Sequence, residues 1–104
     1  MDRPALLSFF ESLPDPRVNR RKKHRLLDIV LMSILAVICG EEGWDDIAEF
    51  AEDREEWLTE LLGLRHGTPC GDTFRRVWSV IDPEEFSRCF LSWTASLVPA
   101  MDGK

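Results

Sequence analysis

Residues 26–39 read LLDIVLMSILAVIC, an apolar run broken by Asp28 and Ser33 and closed by Gly40. A helix drawn through it carries Leu, Ile and Val on every face, so it has no side to offer to water and must be enclosed by other elements. At 14 residues the run is shorter than the roughly 20 needed to span a bilayer. A secretory signal would stand at the extreme N-terminus, whereas 25 residues come first here. The stretch therefore reads as the central helix of a soluble domain.

A chain of 104 residues holds one such domain, and six Phe and four Trp supply much of its core. Cys39, Cys70 and Cys89 are odd in number and lack a Cys-x-x-Cys spacing, which argues against a disulfide framework and fits a reducing cytoplasm. His66 and Cys70 lie four apart, but two ligands do not make a structural zinc site, so neither a metal nor a cofactor is expected.

The net charge of −6 is unevenly laid out: Arg17, Arg20, Arg21, Lys22, Lys23 and Arg25 crowd nine positions together with His24, while residues 41–60 hold ten acids and one base. A basic cluster beside a folded core suits a phosphate-contacting arm, and the acidic segment would be repelled by nucleic acid. Two solvated faces are the plain alternative, with even weight on composition alone.

Outward from the central run, Pro4 suits a first helical position, and Leu6, Phe9, Phe10 and Leu13 form one apolar stripe of a short helix. Pro14 and Pro16 end it. After Gly40 and Gly43, Trp44, Ile47, Ala48 and Ala51 repeat at helical spacing, and Trp57, Leu58, Leu61 and Leu62 resume it. The charged residues 53–55 between them predict two helices rather than one. Residues 63–71, with Pro69 and a glycine at each end, predict a loop.

The segment from Asp72 to Ile81 places Phe74, Val77, Trp78 and Ile81 on one face and Arg75, Arg76 and Ser79 on the other. An anchored short helix with outward arginines has the form of a recognition helix in a helix-turn-helix-like unit, although most such helices in small helical domains simply pack. Asp82 as N-cap, Pro83 at the first position and Glu85 three after the cap predict a firm helix start. Phe86, Phe90, Trp93 and Leu97 then share a face, with Cys89 beside them, and Pro99 is expected to close the helix. The fold class is all-α, a bundle of five or six helices around a central buried one.

The order of motifs, Phe10-x-x-Leu13-Pro14-Asp15-Pro16-Arg17, His24-x-Leu26-Leu27-Asp28-Ile29, Cys39-Gly40, Trp44-x-x-Ile47-Ala48-Glu49-Phe50, Trp57-Leu58, Pro69-x-x-Asp72-Thr73-Phe74-x-Arg76-Val77, Asp82-Pro83 and Asp102-Gly103-Lys104, covers nearly the whole chain. It resembles the N-terminal associated domain of bacterial insertion-sequence transposases of the H-repeat-associated kind. The resemblance implies a domain ahead of an RNase-H-like catalytic domain that cuts and joins DNA with three carboxylates and divalent metal. Asp102 matches the first of those carboxylates. Residues 1–98 would be the helical domain with a basic arm at 17–25, and residues 99–104 a remnant of the first catalytic strand.

The chain departs from that pattern at three places. Cys70 stands where the family usually has serine, Arg75 replaces a commonly small residue, and Pro99 weakens the strand leading to Asp102. Two-metal chemistry needs several carboxylates around cations about 4 Å apart, so a truncated copy without catalytic activity of its own is the expectation, with Asp102 inactive alone and metal required only in a full-length relative.

DNA is the expected partner, through Arg17, Arg20, Arg21, Lys22, Lys23 and Arg25 on phosphates and Thr73, Arg75 and Arg76 toward a groove. The alternative is a protein-interaction module that docks on a transposase catalytic domain or on a second copy. No membrane partner is expected. An autonomous enzyme is disfavoured, since no glycine-rich phosphate loop, nucleophile elbow or ligand cluster stands in the sequence.

Overall fold

In the computed structural model, the backbone is described for residues 5–17 and 23–102, with side chains for 7–17 and 23–97. A 3₁₀ helix at Ala5–Phe9 precedes α1 (Leu26–Ile38), α2 (Trp44–Asp53), α3 (Glu55–Leu62), α4 (Gly71–Val80) and α5 (Pro83–Asp102). The fold is all-α, and among the described residues no helix is long and apolar enough to cross a membrane.

Helix α1 is the enclosed element. Ile29, Val30, Leu31 and Met32 are successive residues pointing in all directions, and none is more than 1% exposed. The 3₁₀ segment, α2 and α4 pack around it. Its last turn differs from the expectation of full enclosure: Val37 and Ile38 are 59% and 65% exposed, because the surrounding elements cover only the earlier turns.

Both polar residues inside α1 are satisfied. Ser33 Oγ donates to the Ile29 carbonyl at 2.8 Å and accepts from Trp78 Nε1 at 2.9 Å, tying α4 to the core. Asp28 receives Arg25 Nε at 2.8 Å.

The first element is a 3₁₀ helix rather than an α-helix. The Leu7 carbonyl accepts from the Phe10 amide and the Phe10 carbonyl from the Leu13 amide, both at 3.0 Å. Leu7, Phe10 and Leu13 are all buried, and a spacing of three is the 3₁₀ repeat, whose side chains at i and i+3 eclipse. A segment this short, stopped by Pro14 and Pro16, has too few residues to offset α-helix nucleation.

The break near residues 53–55 is real. Arg54, the lone base of the acidic segment, donates to the Phe50 carbonyl at 3.2 Å and lays its guanidinium 4.1 Å from the Phe50 ring centroid, covering the end of α2 while α3 starts at Glu55.

Helix α4 packs chiefly on α2 and also on α1, and residues 63–70 separate it from α3. This differs from a helix-turn-helix, in which a short turn brings consecutive helices together. The first turns of α2 and α4 meet instead. A Cβ on Gly71 would run into Asp45 Oδ1 and stand 3.3 Å from the Trp44 carbonyl oxygen, so only glycine admits this approach without displacement.

Phe74, Val77 and Ile81 are buried and Trp78 is half-buried, as the periodicity predicts. Helix α5 returns to the N-terminal segment through a row of rings: Phe86 lies 5.6 Å from Phe10 and 4.8 Å from Trp78, and Phe90 follows at 5.8 Å.

Two expectations for α5 are corrected. Asp82 Oδ1 accepts from the Glu84 amide at 3.0 Å as an N-cap, but Glu85 pairs with Arg88 at 2.6 Å instead of reaching back toward the cap. The helix also runs through Pro99 to Asp102, where a helix end and a strand were expected. No strand exists among the described residues to pair with one, and a helix satisfies its amides locally.

Cys70 is the N-cap of α4, with extended backbone and no side-chain capping hydrogen bond to the helix amides; its Sγ instead shares a 3.5 Å hydrogen bond with Thr73 Oγ1. Cys70→Ser supplies a stronger acceptor for the first-turn amides and is expected to stabilise the fold by about 0.5–1.5 kcal/mol. Thermal denaturation checks this: the midpoint should rise by several degrees, and an unchanged or lower midpoint contradicts the capping argument.

Candidate nucleic-acid interface

The basic arm is anchored at both ends. Arg17 clasps Asp15 through Nε and Nη2, both at 2.9 Å, and its Nη1 donates to the His24 carbonyl at 2.6 Å. With its side chain only 8% exposed, Arg17 acts as an internal clamp and not as a projecting cation. Arg25 pairs with buried Asp28 and donates Nη2 to the carbonyls of Leu62 and Gly63 at 2.7 and 3.3 Å. Gly63 has φ of +71°, the left-handed conformation of a C-terminal cap, and Arg25 serves the carbonyls exposed there. Lys23 is exposed between these anchors. Arg20, Arg21 and Lys22 lie outside the described residues.

On α4, Arg75 and Arg76 face outward. Arg75 approaches Asp72 Oδ1 at 3.4 Å, and Arg76 Nε the Asp72 carbonyl at 3.4 Å. Thr73 is half-buried. Arg75 shares a shallow cleft with Asp45 and Asp46 of α2 as well as Asp72, so its surroundings are acidic. A second acidic groove follows the α2–α3 joint, where Glu52, Asp53, Glu55, Glu56 and Glu60 flank exposed Trp57.

The arm's C-terminal end and the α3–α4 loop enclose a cleft of about 260 Å³, lined by Lys23, His24, Arg25, Asp28, Arg65 and His66 with Leu64 and Gly67. Sequence reasoning missed Arg65, leaving it in a plain loop, and weighed His66 only with Cys70 as a metal ligand. Their link to the arm is the Arg25 bond to the end of α3, a contact across 37 positions that no local pattern carries. His24 titrates below its ordinary value, first because it is partly buried and then because Lys23, His66 and Arg17 surround it with positive charge; Asp28 opposes weakly. Among the described residues no group of three or more His, Cys, Asp or Glu is placed to hold a metal.

Fold and charge together define a small helical domain with one cationic cleft and two acidic ones. The DDE_Tnp_1-associated family matches residues 7–94, and the chain belongs to that family. Its relatives include the H repeat-associated putative transposase YhhI of Escherichia coli (strain K12), 37% identical over the whole of this chain and 29% of YhhI. An uncharacterized protein encoded in the dhlA 3′ region of Xanthobacter autotrophicus is 46% identical over 84% of this chain and 30% of its own length. The chain thus spans under a third of these two relatives. The inactive transposase YbfQ of Escherichia coli (strain K12) is 38% identical over 76% of this chain, a region that makes up 94% of YbfQ. No solved structure matches the chain.

Arg25→Ala removes the cation paired with a buried carboxylate and the donor to the α3 terminus, and is expected to cost about 2–4 kcal/mol in chemical denaturation. A loss under about 0.5 kcal/mol, the size of an ordinary surface substitution, would show that the clamp is dispensable.

The depressed His24 pKa has its own signature. The unfolded chain takes up a proton near the ordinary value of 6.5 while the folded chain resists it, so this contribution to stability is present above about pH 6.5 and is lost as pH falls through the folded-state value. His24→Gln is expected to flatten the fall of the thermal midpoint between pH 7.5 and 5.5.

Proposed function

We propose that this chain is the DNA-binding or DNA-positioning domain of an insertion-sequence transposase, cytoplasmic and without a catalytic site of its own. The observation that carries the reading is its membership of a transposase-associated family together with a basic arm whose start Arg17 ties to its end at His24 and whose end Arg25 holds to α1 and α3. Clamping both ends limits the entropy lost when the intervening bases meet a polyanion. Arg20, Arg21, Lys22 and Lys23 then make phosphate contacts, which set affinity and register without reading sequence. Arg76 stands outside the acidic cleft that Arg75 lines, so it is the better of the outward pair to approach a groove, with Thr73 beside it. Residues 1–98 form the working unit, and residues 99–104 lead toward a catalytic domain whose first aspartate Asp102 matches.

A second reading is a docking module for a transposase catalytic domain or a second copy. Exposed Val37, Ile38 and Trp57 favour it, since apolar side chains on the surface suit a protein partner.

Fluorescence anisotropy with a labelled duplex from an element end and a scrambled duplex, at two salt concentrations, tests the first reading. Replacing Arg20, Arg21, Lys22 and Lys23 with Gln is expected to weaken binding equally for both duplexes and to lower the salt slope by roughly 0.9 for each phosphate no longer neutralised. An unchanged slope rules out the arm, and no binding by the parent chain together with dimerisation in light scattering favours the docking module.

A further inference from the structure

We propose that the cleft between the end of the arm and the α3–α4 loop is a phosphate seat for the DNA backbone, formed by Lys23, Arg65, His24 and His66, and that its two histidines couple binding to pH. This inference rests on the DNA-binding reading and adds to it a site, two residues and a proton linkage.

Charge is the first ground. Lys23, Arg25 and Arg65 against Asp28 leave the lining at +2 with neutral histidines, in a chain whose net charge is −6. Folding has gathered cations here from segments about 40 positions apart in sequence. Arg25 and Asp28 already answer each other, so the surplus belongs to Lys23 and Arg65.

Unused donors are the second ground. Lys23, Arg65 and His66 make no hydrogen bond or ion pair among the described residues, and all three are exposed. A phosphodiester offers acceptors to an ammonium, a guanidinium and imidazole N–H groups at once.

The third ground is that the chain has two histidines and both line this cleft. Lys23, Arg17 and the neighbouring imidazole make protonation of His24 unfavourable in the free protein. Asp28 draws protonation the other way, Arg25 and Arg65 add positive charge along the wall, and Glu55 comes up on the outer side at Gly67. An anion seated among these groups reverses the balance and favours both imidazolium forms. Protons are then taken up on binding, and affinity rises as pH falls.

The experiment is proton NMR of the two imidazole signals, titrated from pH 8 to 5 on the full chain, alone, with a short DNA duplex and with inorganic pyrophosphate. Duplex affinity is followed in parallel by anisotropy. The expected result is a rise of both histidine pKa values with duplex and duplex binding about tenfold tighter at pH 5.5 than at pH 8, the equivalent of one pKa unit of coupling at one site. Arg65→Ala should weaken duplex binding several-fold and lower the salt slope by roughly one, and His24→Gln with His66→Gln should abolish the pH dependence.

Duplex binding that leaves both imidazole titrations and the Arg65→Ala affinity unchanged overturns the cleft while sparing the DNA-binding reading. If no duplex binds, that reading fails, and the pyrophosphate arm then decides the cleft separately: raised histidine pKa values keep it as an anion seat for free phosphates, and unmoved values overturn it.

Discussion

A helix that is apolar on all sides persists in water only if other elements close around it, and that demand sets the plan of this domain. With Ile29, Val30, Leu31 and Met32 all sealed, α1 has no face left to choose, and the 3₁₀ segment, α2 and α4 must supply walls. Each such side chain gains roughly 1.5–3 kcal/mol by leaving water, so the enclosure outweighs the weaker preferences of its neighbours. The N-terminal segment accepts a 3₁₀ winding because Leu7, Phe10 and Leu13 all reach the core that way. Gly71 stays bare because α4 must lie close to the start of α2.

Enclosure of α1 also determines where the charges go. Asp28 is 2% exposed and draws Arg25 inward, and Arg25 in turn holds the end of α3 through its carbonyls. One guanidinium therefore joins the first turn of the central helix, the end of the basic arm and the loop that carries Arg65 and His66. The central helix and the cationic cleft are thus joined by one contact, and loosening it disturbs both.

The parts legible in the sequence were those with a local physical cause. The apolar run, the break at Arg54, the face formed by Phe74, Val77, Trp78 and Ile81, and the Asp82 cap all follow from spacing or from residue chemistry within one turn. What escaped depended on partners distant in sequence. Arg17 looks like one cation of a cluster until Asp15 and the His24 carbonyl are seen to hold it. Arg65 and His66 look like loop residues until Arg25 draws the loop against the arm. Pro99 reads as the end of a helix, but the backbone of α5 continues to Asp102, and among the described residues no strand stands by to compete for its amides.

In an acidic protein that carries a cationic cleft, the reach of each exposed charge is the distance over which solution screens it. At about 0.15 M ionic strength that distance is roughly 8 Å, so exposed charges on one side of a domain hardly register on the other. The whole-chain value of −6 therefore says little about any one surface. What matters is the sign of each neighbourhood: the α2–α3 joint is acidic around Trp57, the Arg75 cleft is acidic through Asp45, Asp46 and Asp72, and the Lys23–Arg65 cleft is cationic. Glu55 belongs to the α2–α3 groove and also stands against Gly67 on the wall of the cationic cleft, so opposite signs meet at that edge. On the proposed DNA-binding reading the acids act as a steering element, because approach along either acidic cleft brings a carboxylate toward a phosphate.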